Sequence, residues 1–79
     1  MLIRSQDKTE LINLNNATSI STIPEYGNKK GIVVRLIGED RWTILGHYSD
    51  EKALKVLDWI GEDYSNDEKI FIMPQEDEI

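Results

Sequence analysis

The fold is decided by one stretch, Ile32-Val33-Val34-Arg35-Leu36-Ile37-Gly38-Glu39-Asp40-Arg41-Trp42-Thr43-Ile44-Leu45-Gly46-His47-Tyr48. Its first six residues are apolar apart from Arg35, a pattern typical of a strand covered on both faces, which predicts a central strand. Residues 38–40 then predict a turn, and residues 42–48 predict the return strand of a hairpin. The segment therefore predicts the middle of a β-sheet.

An amphipathic helix follows this hairpin. Ser49 is a suitable N-cap, and Asp50 and Glu51 place negative charge at the positive end of the helix dipole. Apolar residues then recur at helical spacing, at Ala53, Val56, Leu57, Ile60 and Tyr64. The helix either ends at Gly61, as a left-handed C-terminal residue, or continues to Tyr64.

Short strands are predicted on both sides of this hairpin and helix. They cover residues 2–5, 10–14 and 17–23 before the hairpin, and residues 69–73 before Pro74, which cannot continue a ladder. We therefore expect the α+β class: a small curled antiparallel sheet of about five strands with one amphipathic helix, in the order β-β-β-β-α-β. Residues 1–74 form a single domain in this prediction, and residues 75–79 form a loose acidic tail.

The composition excludes several classes of protein. The chain has 79 residues, which is one small domain, and 39% apolar with 30% charged residues indicates a globular chain. The absence of cysteine excludes a disulfide, a cysteine zinc site and a thiol nucleophile. No apolar run approaches the roughly 18 residues of a membrane span. The first eight residues lack the apolar region of a signal peptide, so we expect a cytoplasmic location.

The net charge of −6 is unevenly distributed. Residues 49–79 hold ten acidic and three basic residues, whereas residues 1–48 hold five acidic and six basic ones. This balance argues against general nucleic-acid binding, which needs a basic field around phosphates. The acidic half is either a solvated helix face with a soluble tail, or a face that mimics a nucleic-acid backbone toward a basic site on another protein.

No catalytic pattern is present. The five glycines are scattered and form no phosphate-binding loop, and the carboxylates do not follow the spacing of a calcium loop. His47 is the single histidine, and no nucleophile turn accompanies it. We therefore predict a protein that is not an enzyme and that has no cofactor and no metal site.

Two segments are suited to binding an anionic ligand. The first is Arg4-Ser5-Gln6-Asp7-Lys8, which is either a polar turn or a recognition loop whose Arg4 and Lys8 meet phosphate or carboxylate. The second is Arg41-Trp42 together with Arg35, which a hairpin centred on Glu39 and Asp40 would bring near the far end of the Trp42 strand. Guanidinium and aromatic faces together can stack on a base and hold a phosphate. The alternative for Trp42 is a core position, since Ile44 shares its strand face. The candidate ligand-binding residues are Arg4, Gln6, Lys8, Arg35, Arg41 and Trp42.

Trp59 is the candidate for an interface between copies of the chain. It lies about 120° from Ala53 around the helix, outside the centre of the apolar stripe. An indole in this position is suited to an interface, although it can also cover the rim of the sheet. We predict a homo-oligomer contact formed by Trp59, Lys55 and Lys52.

Several segments resemble small proteins of phages and prophages of Gram-positive bacteria. They are Ile3-Arg4-Ser5-Gln6-Asp7-Lys8 with Leu11-Ile12-Asn13, then Leu45-Gly46-His47-Tyr48-Ser49 leading into residues 52–60, and finally Ile72-Met73-Pro74. The resemblance covers most of the chain except residues 24–42. It implies a mobile-element origin and a location in the host cytoplasm, and it assigns no catalytic or binding residue.

Phage proteins of this size often inhibit host defence, and two mechanisms remain open. In the first, a non-enzymatic homo-oligomer sequesters a small nucleotide-like immune signal, because subunit junctions provide pockets that a short chain cannot enclose alone. In the second, the protein inhibits a host defence enzyme directly, through an acidic face that mimics nucleic acid. Neither mechanism involves a membrane.

Overall fold

A computed structural model describes all 79 residues and shows an α+β fold of six strands and one α-helix. The predicted number of about five strands and the predicted order are therefore imprecise. Two short 3-10 helices occupy Leu14–Asn16 and Glu76–Glu78. The other elements, in chain order, are β1 (Leu2–Arg4), β2 (Leu11–Asn13), β3 (Ala17–Pro24), β4 (Lys29–Leu36), β5 (Trp42–Ser49), α1 (Asp50–Ser65) and β6 (Ile70–Ile72).

The strands form two three-stranded sheets, with the orders β2-β1-β6 and β3-β4-β5. The prediction of one antiparallel sheet is wrong on two counts, since there are two sheets and β6 runs parallel to β1. The parallel pairing is possible because the whole length of the other sheet and the helix separates the two strands along the chain. The central position predicted for the 32–37 segment is confirmed, since β4 lies between β3 and β5.

The two sheets share one hydrophobic core, with α1 packed against the β3-β4-β5 sheet. Tyr48 is fully buried there, and its hydroxyl donates a hydrogen bond to the Pro74 carbonyl at 2.7 Å. Burial raises the pKa of this hydroxyl, and the Glu76 and Glu78 carboxylates add to the effect. The core side chains are Ile3, Ile12, Ile32, Val34, Leu45, Tyr48, Ala53, Val56, Ile60, Phe71 and Met73.

The helix runs through Gly61 and ends at Ser65, which is the longer of the two predicted alternatives. Gly61 does not adopt the left-handed conformation that ends many helices. The backbone N–H of Asn66 instead closes the last turn on carbonyls of residues 62–64. The acidic residues Glu62 and Asp63 therefore lie at the negative end of the helix dipole.

The last residues pack against the domain, in contrast to the expected loose tail. The Gln75 side-chain amide donates to the Gln6 carbonyl at 2.8 Å, and Lys52 Nζ donates to the Glu76 carbonyl at 2.9 Å. The Glu76 carboxylate accepts the Ser49 backbone N–H at 3.1 Å, at the positive end of α1. Desolvation raises the pKa of this carboxyl, but hydrogen bonds from Ser49 and the cations Lys52 and Lys29 together lower it. The acidic C-terminus therefore anchors the start of the helix.

Candidate ligand-binding face

The β3-β4-β5 sheet has one face toward α1 and a second face toward solvent, which we name the outer face. Along β4, Ile32 and Val34 lie in the core, so Val33 and Arg35 belong to the opposite side because side chains alternate. The strand register extends this face to the neighbouring strands. Its side chains are Ser19, Ser21, Ile23, Val33, Arg35, Trp42, Ile44 and His47, of which Val33 is buried and the others are exposed or half-buried.

Arg35 and Trp42 meet on the outer face. They are directly opposite each other in the register of β4 and β5, and the Arg35 guanidinium carbon lies 5.5 Å from the centroid of the Trp42 ring. Both side chains are exposed, and Arg35 takes part in neither of the two ion pairs of the structure. The indole thus orients a cation whose charge no carboxylate neutralises, which suits it to bind an anion.

The alternative that Trp42 belongs to the core is wrong. Trp42 is 49% exposed and Ile44, on the same strand face, is 47% exposed. Leu45 lies on the inner side of this strand and is buried. Thr43, between Trp42 and Ile44, is half-buried. Trp42 and Ile44 therefore form an apolar surface beside the Arg35 guanidinium.

A histidine–carboxylate pair lies at the other end of the outer face. His47 Nδ1 is 2.7 Å from a carboxylate oxygen of Glu25. The Glu25 side chain reaches His47 over Gly31, where an added Cβ would lie 3.1 Å from Glu25 Oε2. The absence of a side chain at Gly31 thus makes room for the pair, which forms an ion pair when His47 is protonated.

A shallow pocket of about 120 Å³ adjoins this pair. Gln6 contributes to its wall, but the Gln6 side chain is already engaged. Its Oε1 accepts the His47 backbone N–H at 2.8 Å, and its Nε2 donates to the Pro74 carbonyl at 3.4 Å. Gln6 therefore holds the segment after β1 against β5. The pocket is also smaller than the roughly 300–1,000 Å³ that enclose a drug-sized ligand.

The predicted recognition loop forms a self-bonded turn. The Asp7 carboxylate accepts hydrogen bonds from the Ser5 hydroxyl at 2.7 Å and from the Thr9 hydroxyl and backbone N–H at 2.7 and 3.0 Å. These bonds, with Ser5 the largest contributor, lower the pKa of Asp7 to about 2. Lys8 has a positive φ of 67°, and its carbonyl accepts a hydrogen bond from Arg4 Nη2 at 3.3 Å. The segment thus has the geometry of the polar turn.

The predicted binding residues fall into two groups. Arg35 and Trp42 lie together on the outer face, and the exposed Arg41 directly precedes β5. Arg4 lies on the other sheet, opposite Leu11 and Ile72, which are exposed on the same side. No hydrogen bond or ion pair joins the two groups.

Trp59 is 37% exposed on the helix. Lys55 is exposed nearby, whereas Lys52 is half-buried and engaged with the Glu76 carbonyl. Lys52 therefore has a role within the chain. The oligomer contact of Trp59, Lys55 and Lys52 stays a prediction.

Ile44, His47 and Glu25 lie on or against the outer face but are not among the binding residues predicted from the sequence. The alternation that starts at Trp42 leads directly to Ile44 and could have identified it. His47 follows only after the register shift in the β4–β5 ladder, where Ile32 faces Gly46 and Val33 faces Ile44. Glu25 precedes β4 by a loop, so its approach to His47 depends on how that loop folds.

Comparison with protein families, with curated proteins and with solved structures gives no match. The single α-helix is too short and too polar to cross a membrane. No group of three or more histidine, aspartate or glutamate side chains is placed to hold a metal ion. The function is therefore inferred from the geometry of the chain itself.

Proposed function

We propose that this protein is a non-enzymatic binding protein that sequesters a small, flat, anionic ligand of the nucleotide type on its outer face. The observation that supports this most is the Arg35 guanidinium, which lies over the Trp42 ring at 5.5 Å from its centroid and has no ion pair of its own. In the setting that the phage resemblance implies, the ligand is a host immune signal in the bacterial cytoplasm, and binding lowers its free concentration.

The outer face offers complementary groups for the two parts of a nucleotide. The exposed part of the Trp42 ring, extended by Ile44, provides an apolar surface on which a base stacks. The Arg35 guanidinium, assisted by Arg41, provides several N–H donors for a phosphate next to that base. Recognition of this kind needs no enclosed cavity, which agrees with the open shape of the face.

The net charge of −6 opposes the approach of an anion, but the local balance is different. The ten carboxylates of residues 49–79 lie on α1, in the turn after it and at the C-terminus, whereas the outer face belongs to β3, β4 and β5. Near the proposed site, the exposed Glu39 and Asp40 lie in the turn that precedes Arg41. Exposed charges separated by more than about 8 Å are largely screened at physiological salt. The turn carboxylates Glu39 and Asp40 offset Arg35 and Arg41 in formal charge, so binding of an anion depends on direct hydrogen bonds from the two guanidinium groups at short range.

Titration with adenosine 5′-monophosphate tests the proposal, with tryptophan fluorescence as the readout. The titration uses the Trp59→Phe protein, so that Trp42 is the single reporter. Adenosine and ribose 5-phosphate separate stacking from phosphate binding. We expect quenching by the nucleotide, and at least tenfold weaker binding in an added Arg35→Gln change, because a hydrogen bond to a charged group contributes about 1.5–3 kcal/mol.

Arg4→Gln, on the other sheet, is the matched control and should leave the affinity unchanged. Equal affinity in the Arg35→Gln and Arg4→Gln proteins would contradict the assignment of the site. The absence of any quenching by millimolar nucleotide would contradict nucleotide sequestration by this face.

A second candidate function is direct inhibition of a nucleic-acid-binding defence enzyme. None of the carboxylates in the later half of α1 and in the turn after it takes part in an ion pair, and the last turn of the helix has no basic residue. Negative charge at that end is unfavourable by roughly 0.3–1 kcal/mol per group, which indicates a role other than stability. These carboxylates belong to Asp58, Glu62, Asp63, Asp67 and Glu68.

Conversion of four of these groups to amides separates the two candidates. The protein with Glu62→Gln, Asp63→Asn, Asp67→Asn and Glu68→Gln should lose inhibition of a target enzyme if the acidic face is the functional surface. Asp67 has a φ of 58°, a conformation that asparagine also tolerates, so the fold should survive. Unchanged inhibition by this protein would refute the acidic-face mechanism.

A further inference from the structure

Strand β3 has an open edge. It pairs only with β4. The hydrogen bonds between β3 and β4 continue one residue beyond Pro24, where the Glu25 backbone N–H donates to the Lys29 carbonyl at 2.9 Å. Because hydrogen-bonded positions recur every second residue in an antiparallel pair, the odd-numbered residues of β3 bond to β4. The even-numbered residues, Ile20 and Thr22 among them, therefore direct their N–H and carbonyl groups away from the sheet.

Two further observations agree with this assignment. The Asp50 backbone N–H donates to the Asn28 carbonyl at 3.0 Å. The even-numbered residues of β4 therefore form their backbone hydrogen bonds with β5, and the odd-numbered residues form theirs with β3. Pro24 is an even-numbered residue of β3, and a proline lacking an N–H is tolerated at the open side of an edge strand.

The open edge also lacks the usual protection against pairing. Edge strands are commonly protected by lysine or other charged residues, by proline or by bulges. No charged residue occurs between Glu10 and Glu25, although 30% of the chain is charged. Pro24 lies at one end of β3 and the irregularity between Ala17 and Ser19 falls at Thr18, so residues 19–22 between them are unprotected.

The middle of β3 is a palindrome, Thr18-Ser19-Ile20-Ser21-Thr22. An antiparallel strand of the same sequence can therefore pair with it about a two-fold axis at Ile20, and every pair then joins identical residue types. Threonine and serine pairs across antiparallel strands are favourable contacts. In this register Ile20 faces Ile20, Ser19 faces Ser21, and Thr18 faces Thr22.

We propose that a second copy of this chain binds at the β3 edge in this register, so that the two β3 strands join two sheets into one of six strands. Ile20 and Ile20 exchange two backbone hydrogen bonds at the axis, and Thr22 of each copy lies opposite Thr18 of the other, where the irregularity of β3 occurs. Pro24, which cannot donate, limits the ladder at each end. The proposal is independent of the ligand proposed for the outer face.

A groove beside the edge supports the same arrangement. It has a volume of about 320 Å³ and lies between β3 and the later part of α1, along Thr18, Ser19 and Ile20. Its walls include Leu57 and the 53% exposed Tyr64. A strand added to the β3 edge continues the sheet next to this groove, and the helix of the second copy then lies on the same side and covers its apolar wall.

Sedimentation velocity with charge-substituted variants tests the register. We expect the wild-type protein to form a dimer, and the Thr18→Glu/Thr22→Glu protein to dissociate at least tenfold more readily, because two carboxylate pairs would face each other. The Thr18→Lys/Thr22→Glu protein should dimerise again, since the two-fold pairing places each lysine opposite a glutamate. A wild-type chain that stays monomeric up to about 1 mM, or a double-glutamate protein that dimerises normally, would overturn the proposal.

Cysteine cross-linking provides a second test that does not depend on charge. The chain has no cysteine, so Ile20→Cys introduces a single thiol that faces its own copy at the axis. Hydrogen-bonded antiparallel pairs have Cα atoms about 5.5 Å apart, within disulfide range, so we expect cross-linked dimers under mild oxidation. Thr22→Cys is the control, because its thiols lie about 14 Å apart along the two strands. Equal cross-linking of both proteins, or none of Ile20→Cys, would refute the register.

Discussion

The two edges of the β3-β4-β5 sheet differ in how their backbone groups are satisfied. At the β5 edge, the chain after β1 closes the sheet: the Gln6 N–H donates to the Leu45 carbonyl at 2.7 Å, and Gln6 Oε1 accepts the His47 N–H at 2.8 Å. At the β3 edge, no segment of the chain performs this role. The difference indicates that one edge contributes to folding and the other is available for association.

Substitutions at the two edges should therefore affect different properties, folding at the β5 edge and association at the β3 edge. Substitutions around the covered β5 edge should lower the free energy of unfolding, because that edge is part of the packed domain. Substitutions at the open β3 edge should leave folding almost unchanged and should alter association. The following predictions test this division, beginning with the largest expected effect on folding.

Gly46→Ala should give the largest loss of stability. An added Cβ would lie 2.9 Å from the Tyr48 ring and hydroxyl and 3.1 Å from the Gln6 Cβ, so the closed edge would have to shift. Overpacking of this kind costs about 1–3 kcal/mol, measured by urea unfolding at one fixed protein concentration. Gly61→Ala is the control, because its Cβ meets no atom and alanine favours a helix. Equal losses in both proteins would contradict the tight packing at Gly46.

Tyr48→Phe should lower the free energy of unfolding by about 1–2 kcal/mol. The change removes the hydroxyl that donates to the Pro74 carbonyl at 2.7 Å and leaves that carbonyl without this donor. Tyr64→Phe removes an exposed hydroxyl and should change stability by less than about 0.5 kcal/mol. If thermal unfolding shows no difference between the two variants, the C-terminal segment does not contribute to closing the fold as described.

The Asp7 turn should make stability fall in acid. The pKa of Asp7 is about 2 in the folded chain, against 3.8 for a free side chain. Its contribution is thus fully present above pH 3.8 and is lost as the pH falls toward 2. The Asp7→Asn protein should show a shallower loss of stability over this range in pH-dependent unfolding. Parallel pH profiles of the two proteins would contradict the bonding of Asp7 to Ser5 and Thr9.

Thr18→Lys should have the smallest effect on folding. Thr18 is exposed and the change removes the hydrogen bond from its hydroxyl to the Arg35 carbonyl at 3.2 Å, so the free energy of unfolding of the monomer should change by less than about 1 kcal/mol. Unfolding of dilute protein, followed by circular dichroism, measures this change. A loss as large as that of Gly46→Ala would show that the β3 edge is part of the folding unit.

The sequence predicted the elements with strong local patterns. The apolar run of β4 indicated a central strand, and the spacing from Ala53 to Ile60 indicated the helix, because both patterns follow directly from one buried surface. The division into two sheets and the parallel pairing of β6 could not be predicted, since they depend on contacts between distant segments.

The candidate site was predictable to a similar degree. The expected hairpin placed Arg35 near the far end of the Trp42 strand, whereas the structure places Arg35 directly opposite Trp42 at the start of β5. The exposure of Trp42 was not evident, because the alternation of β5 is compatible with either face toward the core. The anchoring of Glu76 at the start of α1 was also missed, since carboxylates at a chain end give no local signal of a distant partner.

Amide hydrogen exchange, measured by NMR at several protein concentrations, tests the difference between the two edges most directly. We expect the Ile20 and Thr22 amides to exchange rapidly in dilute protein and to become protected as the concentration rises. The His47 amide, which donates to Gln6 within the chain, should be equally protected at every concentration. Exchange of Ile20 and Thr22 that does not depend on concentration would contradict the assignment of β3 as an edge for association.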